Sequence, residues 1–297
     1  MQRHLVVNAD DLGLTTEVND GIFDAHERGV LTSASLFANA PATRDAITRL
    51  RDLPSLGVGC HLTLVDGRPT LSPDRIPTLV DDDGRFRRSW KPFIVACMLG
   101  RVSLHEVEHE LTAQVCRLVE QGVRLTHLDS HKHVHAYPAI FSIVAHIAAR
   151  FGIPVLRVPF ERGWSLRADA RSRWNVRYQA ALNAATWPWS RRSYEVAASL
   201  RLQTPDFAGR HHTGVLTMSV LEEIVRRLRP GVTELMVHPG FVDDELLRMN
   251  TRLLDSRREE VDLLCDAHLP RLLTDENISL VRHDGGAIAE RSTRDVA

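Results

Sequence analysis

The chain has 297 residues, 43% of them hydrophobic and 25% charged, with a formal net charge of −1. That is enough apolar material for a sizeable core, and the near-neutral balance argues against nucleic acid as a partner. The cysteines Cys60, Cys97, Cys116 and Cys265 form no C-x-x-C pair or disulfide framework, no run is apolar enough to span a membrane, and the N-terminus lacks a signal-like stretch, so a cytoplasmic protein is expected.

The first apolar run, 4–8, predicts a strand leading into Asn8-Ala9-Asp10-Asp11. A helix is expected over 17–29, a strand over 33–38 and a helix over 41–52, with Pro41 suited to a first turn. The run 57–62 predicts a third strand ending at Cys60-His61. Residues 67–103 read as an excursion, with turn signals at Ser72-Pro73 and Asp83-Gly84. A helix over 104–121 places Val107, Leu111, Val115, Leu118 and Val119 on one apolar stripe, and Gly122 suits its end. The strand 124–129 runs into Asp129-Ser130-His131-Lys132-His133. Pro138 opens a helix over 137–150, Gly152 closes it, and the strand 154–159 carries Arg157. A second excursion, 161–213, precedes a helix over 217–229, a strand over 234–237 ending at His238-Pro239-Gly240, a helix over 251–268 and a strand over 278–281. Residues 285–297 read as a polar tail.

Short apolar strands alternating with amphipathic helices predict a parallel sheet with right-handed crossovers. About seven such units predict a closed or nearly closed (β/α) barrel, one domain over 1–284 interrupted by the two excursions. In such a barrel the C-terminal strand ends share one rim, where active sites form. Asp10, Asp11, His61, Asp129, His131, Arg157 and His238 all fall at these ends.

Each signal alone is weak. An Asp pair suits a helix N-cap, and a lone buried histidine is usually a hydrogen-bonded core residue. The run H-L-D-S-H-K-H-V-H is different, because burying four imidazoles and a carboxylate is costly without a bound ion or substrate. Asp11, His61 and His131 form a set suited to a divalent metal with an open position. His131 is chosen over His133 and His135 because it lies closest to the strand end. His133 and His135 are then expected behind the ligands or facing substrate.

These pieces resemble the YdjC-like carbohydrate deacetylases, and among them the hopanoid-biosynthesis-associated branch. The segments are VNADDLGLTTEVNDGI, GVLTSASLFANAPA, GVGCHLTLVDGRP, ELTAQV, THLDSHKHVHAYP, LRVPFE and MVHPG, in the family's order over residues 6–240. Leu12 stands where Phe is commoner, and Val237 where Cys is frequent. The resemblance implies a distorted, TIM-barrel-like fold and a metal-dependent hydrolase that releases acetate from an N-acetylglucosamine-type sugar. The implied substrate is a hopanoid glycolipid, with a chitooligosaccharide as the alternative. It implies Asp11, His61 and His131 as metal ligands and Asp10 as general base. His238 is implied as the group that protonates the leaving amine or stabilises the oxyanion. Arg157 is expected to pair with Asp10 and keep it ionised. Phe207, in TPDFAGRHHTG, is expected near the pocket with His133 and His135. The ligand set favours zinc and also accommodates magnesium, manganese, nickel or cobalt.

Residues 162–194 hold seven Arg, one Asp and four of the five Trp. Trp174, Tyr178, Leu182, Ala185 and Trp189 trace a helical stripe. An amphipathic helix packed on the barrel is one reading, and a lid or a contact with the inner face of the membrane is the other. A homodimer is compatible with the sequence. Two competing functions are a metal-dependent phosphoesterase, which needs further carboxylate ligands, and a non-catalytic carbohydrate-binding protein, which has no use for a base at Asp10.

Overall fold

The computed structural model describes residues 2–163, 172–249 and 251–286. The described residues fold into eight parallel strands with helices outside them. The strands are β1 (Arg3–Leu12), β2 (Ser33–Leu36), β3 (Gly57–Leu62), β4 (Leu125–Ser130), β5 (Val155–Leu156), β6 (Asp206–Ala208), β7 (Gly231–Val237) and β8 (Ile278–Leu280). They pair in the order β5-β4-β3-β2-β1-β7-β6. β7 covers one edge of β1 from Arg3 to Ala9, while β8 pairs with Arg3–Leu5 and β2 with Asn8–Leu12. A strand has two edges, so β8 and β2 share the second. The ends of the order meet where Gln203 bridges Val155, with Leu156 N–H donating to the Gln203 carbonyl at 3.0 Å. The result is a distorted (β/α) barrel, as the alternation of runs predicts.

The strands read as continuous apolar runs because both faces are covered, one by helices and one by the barrel interior. α1 (Thr16–Arg28) is capped by Thr15, whose hydroxyl accepts the Val18 N–H. α2 (Thr43–Leu50) starts two residues after Pro41. α4 (Leu104–Glu120) buries Val107, Leu111, Val115 and Leu118, but Val119 is 45% exposed and lies off the stripe. The same helix buries Glu110 and Gln114, which bond the backbone at Thr70, Leu71 and Thr63 and so pin the start of the first excursion. That excursion holds α3 (Trp90–Met98). α5 (Pro138–Arg150) begins at Pro138 and ends before Gly152, whose φ of 66° costs a residue without a Cβ least.

Several boundaries differ from expectation. β1 runs four residues beyond Asn8, with irregular pairing between Ala9 and Leu12. β5 is two residues long because Pro154 and Pro159 give the ladder no N–H. β6 was not anticipated, since three residues between Pro205 and Gly209 are too few to show a period. The second excursion contains α6 (Arg173–Thr186) and α7 (Pro188–Ser199), so Trp189 sits on a different helix from Trp174. Residues 164–171 of that excursion and 287–297 of the tail lie outside the described residues. α8 (Met218–Arg226) matches the expected helix. The expected helix over 251–268 is divided, with α9 (Asp244–Leu247) before it, α10 (Asp255–Leu264) within it and α11 (His268–Asp275) after it.

Candidate active site

Asp10 and Asp11 occupy the irregular end of β1. Asp11 has φ 71°, a conformation costly for a residue with a Cβ, and this turns neighbouring carboxylates in different directions. Asp11 turns towards His61, from the end of β3, and His131, directly after β4. His61 Nε2 lies 3.6 Å and His131 Nδ1 3.2 Å from Asp11 Oδ1. The ligand-capable atoms of these three residues all lie within 4.8 Å of one another. A second group, Asp10, His61 and Asp129, meets the same distance test.

The surroundings fix which atoms are free. His61 Nδ1 is 2.8 Å from Asp129 Oδ1, the geometry of an N–H donated to a carboxylate. This leaves the Nε2 lone pair aimed at the Asp11 carboxylate, a contact that is repulsive unless a cation or a proton lies between them. His131 Nε2 is 3.7 Å from Asp66 Oδ2, so its Nδ1 is the atom turned inward. The Phe37 ring packs edge-on against both imidazoles, with centroids 4.8 and 5.3 Å away. Burial pushes the His61 pKa down, but the Asp129 and Asp10 charges outweigh it and raise the value to about 10. Asp11 lies well below the carboxylate range; burial opposes this, and Arg257 and the two histidines outweigh it. Arg257 Nη2 sits 2.6 Å from Asp11 Oδ2.

Beneath this group is a buried charge network. Arg157 donates to both oxygens of Asp10, at 2.8 and 2.7 Å, and through Nε to Glu234 Oε1 at 2.8 Å. Its Nη1 also lies 2.7 Å from Asp129 Oδ2. Ser35 donates to Asp129 and Asn8 donates to Asp10. Burial raises the pKa values of Asp10 and Glu234, yet Arg157 brings each to about 2. The carboxylates of Asp10, Asp11, Asp129 and Glu234 outnumber the guanidiniums of Arg157 and Arg257, and the imidazoles of His61, His131 and His283 lie against them as well. A divalent cation would offset negative charge here, and the O/N/N donor set of Asp11, His61 and His131 could hold one.

His238 follows β7 and is 8% exposed. Its N–H donates to Glu260 Oε2 at 2.5 Å. Burial holds the imidazole at about 4, against the pull of Asp10 and Asp11, so it is neutral near pH 7. Gly240 packs against α1, where a Cβ on Gly21 would lie 2.4 Å from the Gly240 Cα.

Of the expected substrate contacts, His135 has both ring nitrogens engaged, by Ser130 Oγ at 2.5 Å and the Arg157 carbonyl at 3.0 Å. His133 meets Phe207 edge-on at 5.6 Å, and its buried Nδ1 has no hydrogen bond. Phe207 is 2% exposed and lies over Arg157, 5.3 Å from ring centre to guanidinium carbon. Lys132 pairs with Asp66.

Sequence alone assigns no role to Asn8, Ser35, Asp66, Glu234, Arg257 or Glu260, and places Asp129 at the rim without one. Asp129 was the most accessible of them, since it lies within the histidine-rich run and directly opposite His61 in the β3–β4 register. Carboxylates behind ligating histidines orient the ring and raise its basicity. Asp129→Asn is therefore expected to weaken metal binding roughly 10- to 100-fold, measured by chelator competition. Unchanged affinity would show that His61 does not depend on Asp129.

A family described as YdjC-like protein matches residues 4–275. A carbohydrate deacetylase of Brevibacillus brevis is 36% identical over 279 residues, 93% of this chain and 97% of the relative. A carbohydrate deacetylase of Geobacillus stearothermophilus is 31% identical, over 95% and 98% of the two chains. Among solved structures, an Enterococcus faecalis protein provisionally described as a cellobiose-phosphate cleavage protein superposes with a TM-score of 0.76 and 25% identity. The match covers 96% of this chain and 98% of that one.

Proposed function

Since the chain belongs to the YdjC-like family, we propose that it is a metal-dependent deacetylase that hydrolyses the acetamide of an N-acetylglucosamine-type sugar and releases acetate. The observation that carries this reading is the convergence of Asp11, His61 and His131, with Asp10 beside them and pointing elsewhere. The deacetylase names of the relatives support the substrate class. A cytoplasmic location at the inner membrane face is part of the reading, and the four free cysteines suit a reducing compartment.

Asp11, His61 and His131 hold the metal, zinc first among the candidates. When bound, it polarises the amide carbonyl and lowers the pKa of water. Asp10 accepts the proton of the attacking water as the oxygen–carbon bond forms. Arg157 keeps Asp10 ionised against burial, so its carboxylate is ready to take that proton. It then passes that proton to the sugar nitrogen as the carbon–nitrogen bond breaks. Protons balance without a second acid. Of the two roles expected for His238, a neutral imidazole favours hydrogen-bond donation to the oxyanion. Phe207 and His133 form a wall of the pocket.

The finer substrate reading is a hopanoid-linked N-acetylglucosamine, resting on the branch resemblance, with diacetylchitobiose as the alternative. Acetate release from both by metal-reconstituted protein tests the proposal. Turnover of either, abolished by chelation and restored by metal, is the expected result. No acetate from any N-acetylated sugar would refute the deacetylase reading.

A further inference from the structure

Away from the polar rim, the two excursions carry most of the large apolar side chains left in water among the described residues. On α3, Lys91, Val95 and Met98 are spaced four and three apart, so they share one face, and Leu99 follows at the C-cap. Val95 is 53% exposed, Met98 63% and Leu99 60%. On α6, Trp174 and Tyr178 are four apart, and Trp174 is 81% exposed. The two faces meet, because the Lys91 ammonium lies 5.1 Å from the centre of the Tyr178 ring. Contiguous exposed apolar groups of this size mark a contact surface.

Basic residues cluster on the same two segments, while the exposed acidic turn over 81–83 and Glu108 lie just beyond them. Residues 84–104 include Arg85, Arg87, Arg88, Lys91 and Arg101 and no Asp or Glu. α6 carries Arg173 and Arg177 and likewise no acidic residue. An apolar face with cations along both of its helices matches a surface that is apolar inside and anionic at its boundary. Such a surface is a bilayer containing acidic lipids. A protein partner offers no comparable reason for long basic side chains flanking Trp, Met and Leu, which suit the headgroup and acyl layers respectively. No helix among the described residues is long and apolar enough to cross a membrane, so the contact is with the surface.

We propose that α3 and α6 together form a docking face for an anionic lipid bilayer. Val95, Met98, Leu99 and Trp174 enter the acyl boundary, and Lys91, Arg173 and Arg177 meet headgroup phosphates. The face adjoins the rim: the Arg88 carbonyl accepts from Lys132 Nζ at 3.4 Å, directly beside His131. Docking thus brings the mouth of the site to the membrane. The proposal uses no catalytic residue; it rests on the membrane-face location in the proposed function and not on the deacetylase chemistry.

The test is co-sedimentation of the full chain with vesicles of phosphatidylcholine alone and of phosphatidylcholine with phosphatidylglycerol. Binding to the anionic vesicles, weakened by salt, is expected. The combined variant M98Q/L99Q/W174S is expected to lose at least about tenfold in partitioning, since several buried methylenes are removed. K91E/R177E is expected to lose the preference for anionic lipid. These side chains are at the surface, so both variants should melt like the parent and keep turnover of soluble sugars. No binding by the parent, or equal binding by the variants, would overturn the proposal. So would an apolar variant that splits a dimer while lipid binding persists, because the occupant would then be a second copy.

Discussion

Asp10→Asn is expected to retain the metal and to lower kcat by roughly 10²- to 10⁴-fold, the range for loss of a general base. The substitution keeps the size of the side chain and an oxygen for Arg157, but removes the group that can take a proton. Because Asp10 turns towards Arg157 and Asn8 rather than towards Asp11, metal content should stay near one ion per chain. Elemental analysis and steady-state kinetics on the same preparation separate the two effects. Full turnover would remove Asp10 from the chemistry. Loss of the ion would place it on the alternative group of Asp10, His61 and Asp129.

Arg157→Met is expected to cost about 3–5 kcal/mol of stability, because it leaves buried carboxylates without their shared partner. The side chain is 1% exposed and joins Asp10 on β1, Asp129 on β4 and Glu234 on β7. In the parent, the Asp10 and Glu234 pKa values are depressed to about 2. The stability they contribute is present above their unfolded values, near 4, and is lost as pH falls towards 2. Without Arg157, burial dominates and pushes both upward. The variant then folds best with these groups protonated and weakens as pH rises through 4 and beyond. Urea denaturation at about pH 5 and pH 8 should show the larger deficit at pH 8. A deficit below about 1 kcal/mol, equal at both values, would mean that Arg157 is dispensable to the network.

What the sequence made legible was the rim. Asp10, Asp11, His61, His131, Arg157 and His238 lie beside apolar runs long enough to be recognised as strands. Once strand direction is known, placement of these residues follows from topology. The third strand, 57–62, matched residue for residue. The partners that orient the rim were not legible, because their relation to it is three-dimensional. Arg257 is 246 positions from Asp11 and lies on a helix whose pattern gives no sign of a buried guanidinium. Asp66 depends on a left-handed turn, with φ 61°, at the start of an excursion. The proposed docking face was half visible. The stripe from Trp174 to Tyr178 could be read, but its companion α3 sits in a segment that showed only turn signals. The extension of β1 through Asp10 and Asp11 is not legible for a physical reason: two adjacent carboxylates and Gly13 look like a turn, and the strand continues only across an irregularity, resuming its pairing where Leu12 meets Leu36.

The account rests on one ion at Asp11, His61 and His131, and an anomalous difference map from crystals of zinc-reconstituted protein tests it most directly. The predicted result is a single peak about 2.0–2.2 Å from Asp11 Oδ1, His61 Nε2 and His131 Nδ1. A peak coordinated by Asp10 and Asp129 instead, or none within bonding reach of these three atoms, would contradict it.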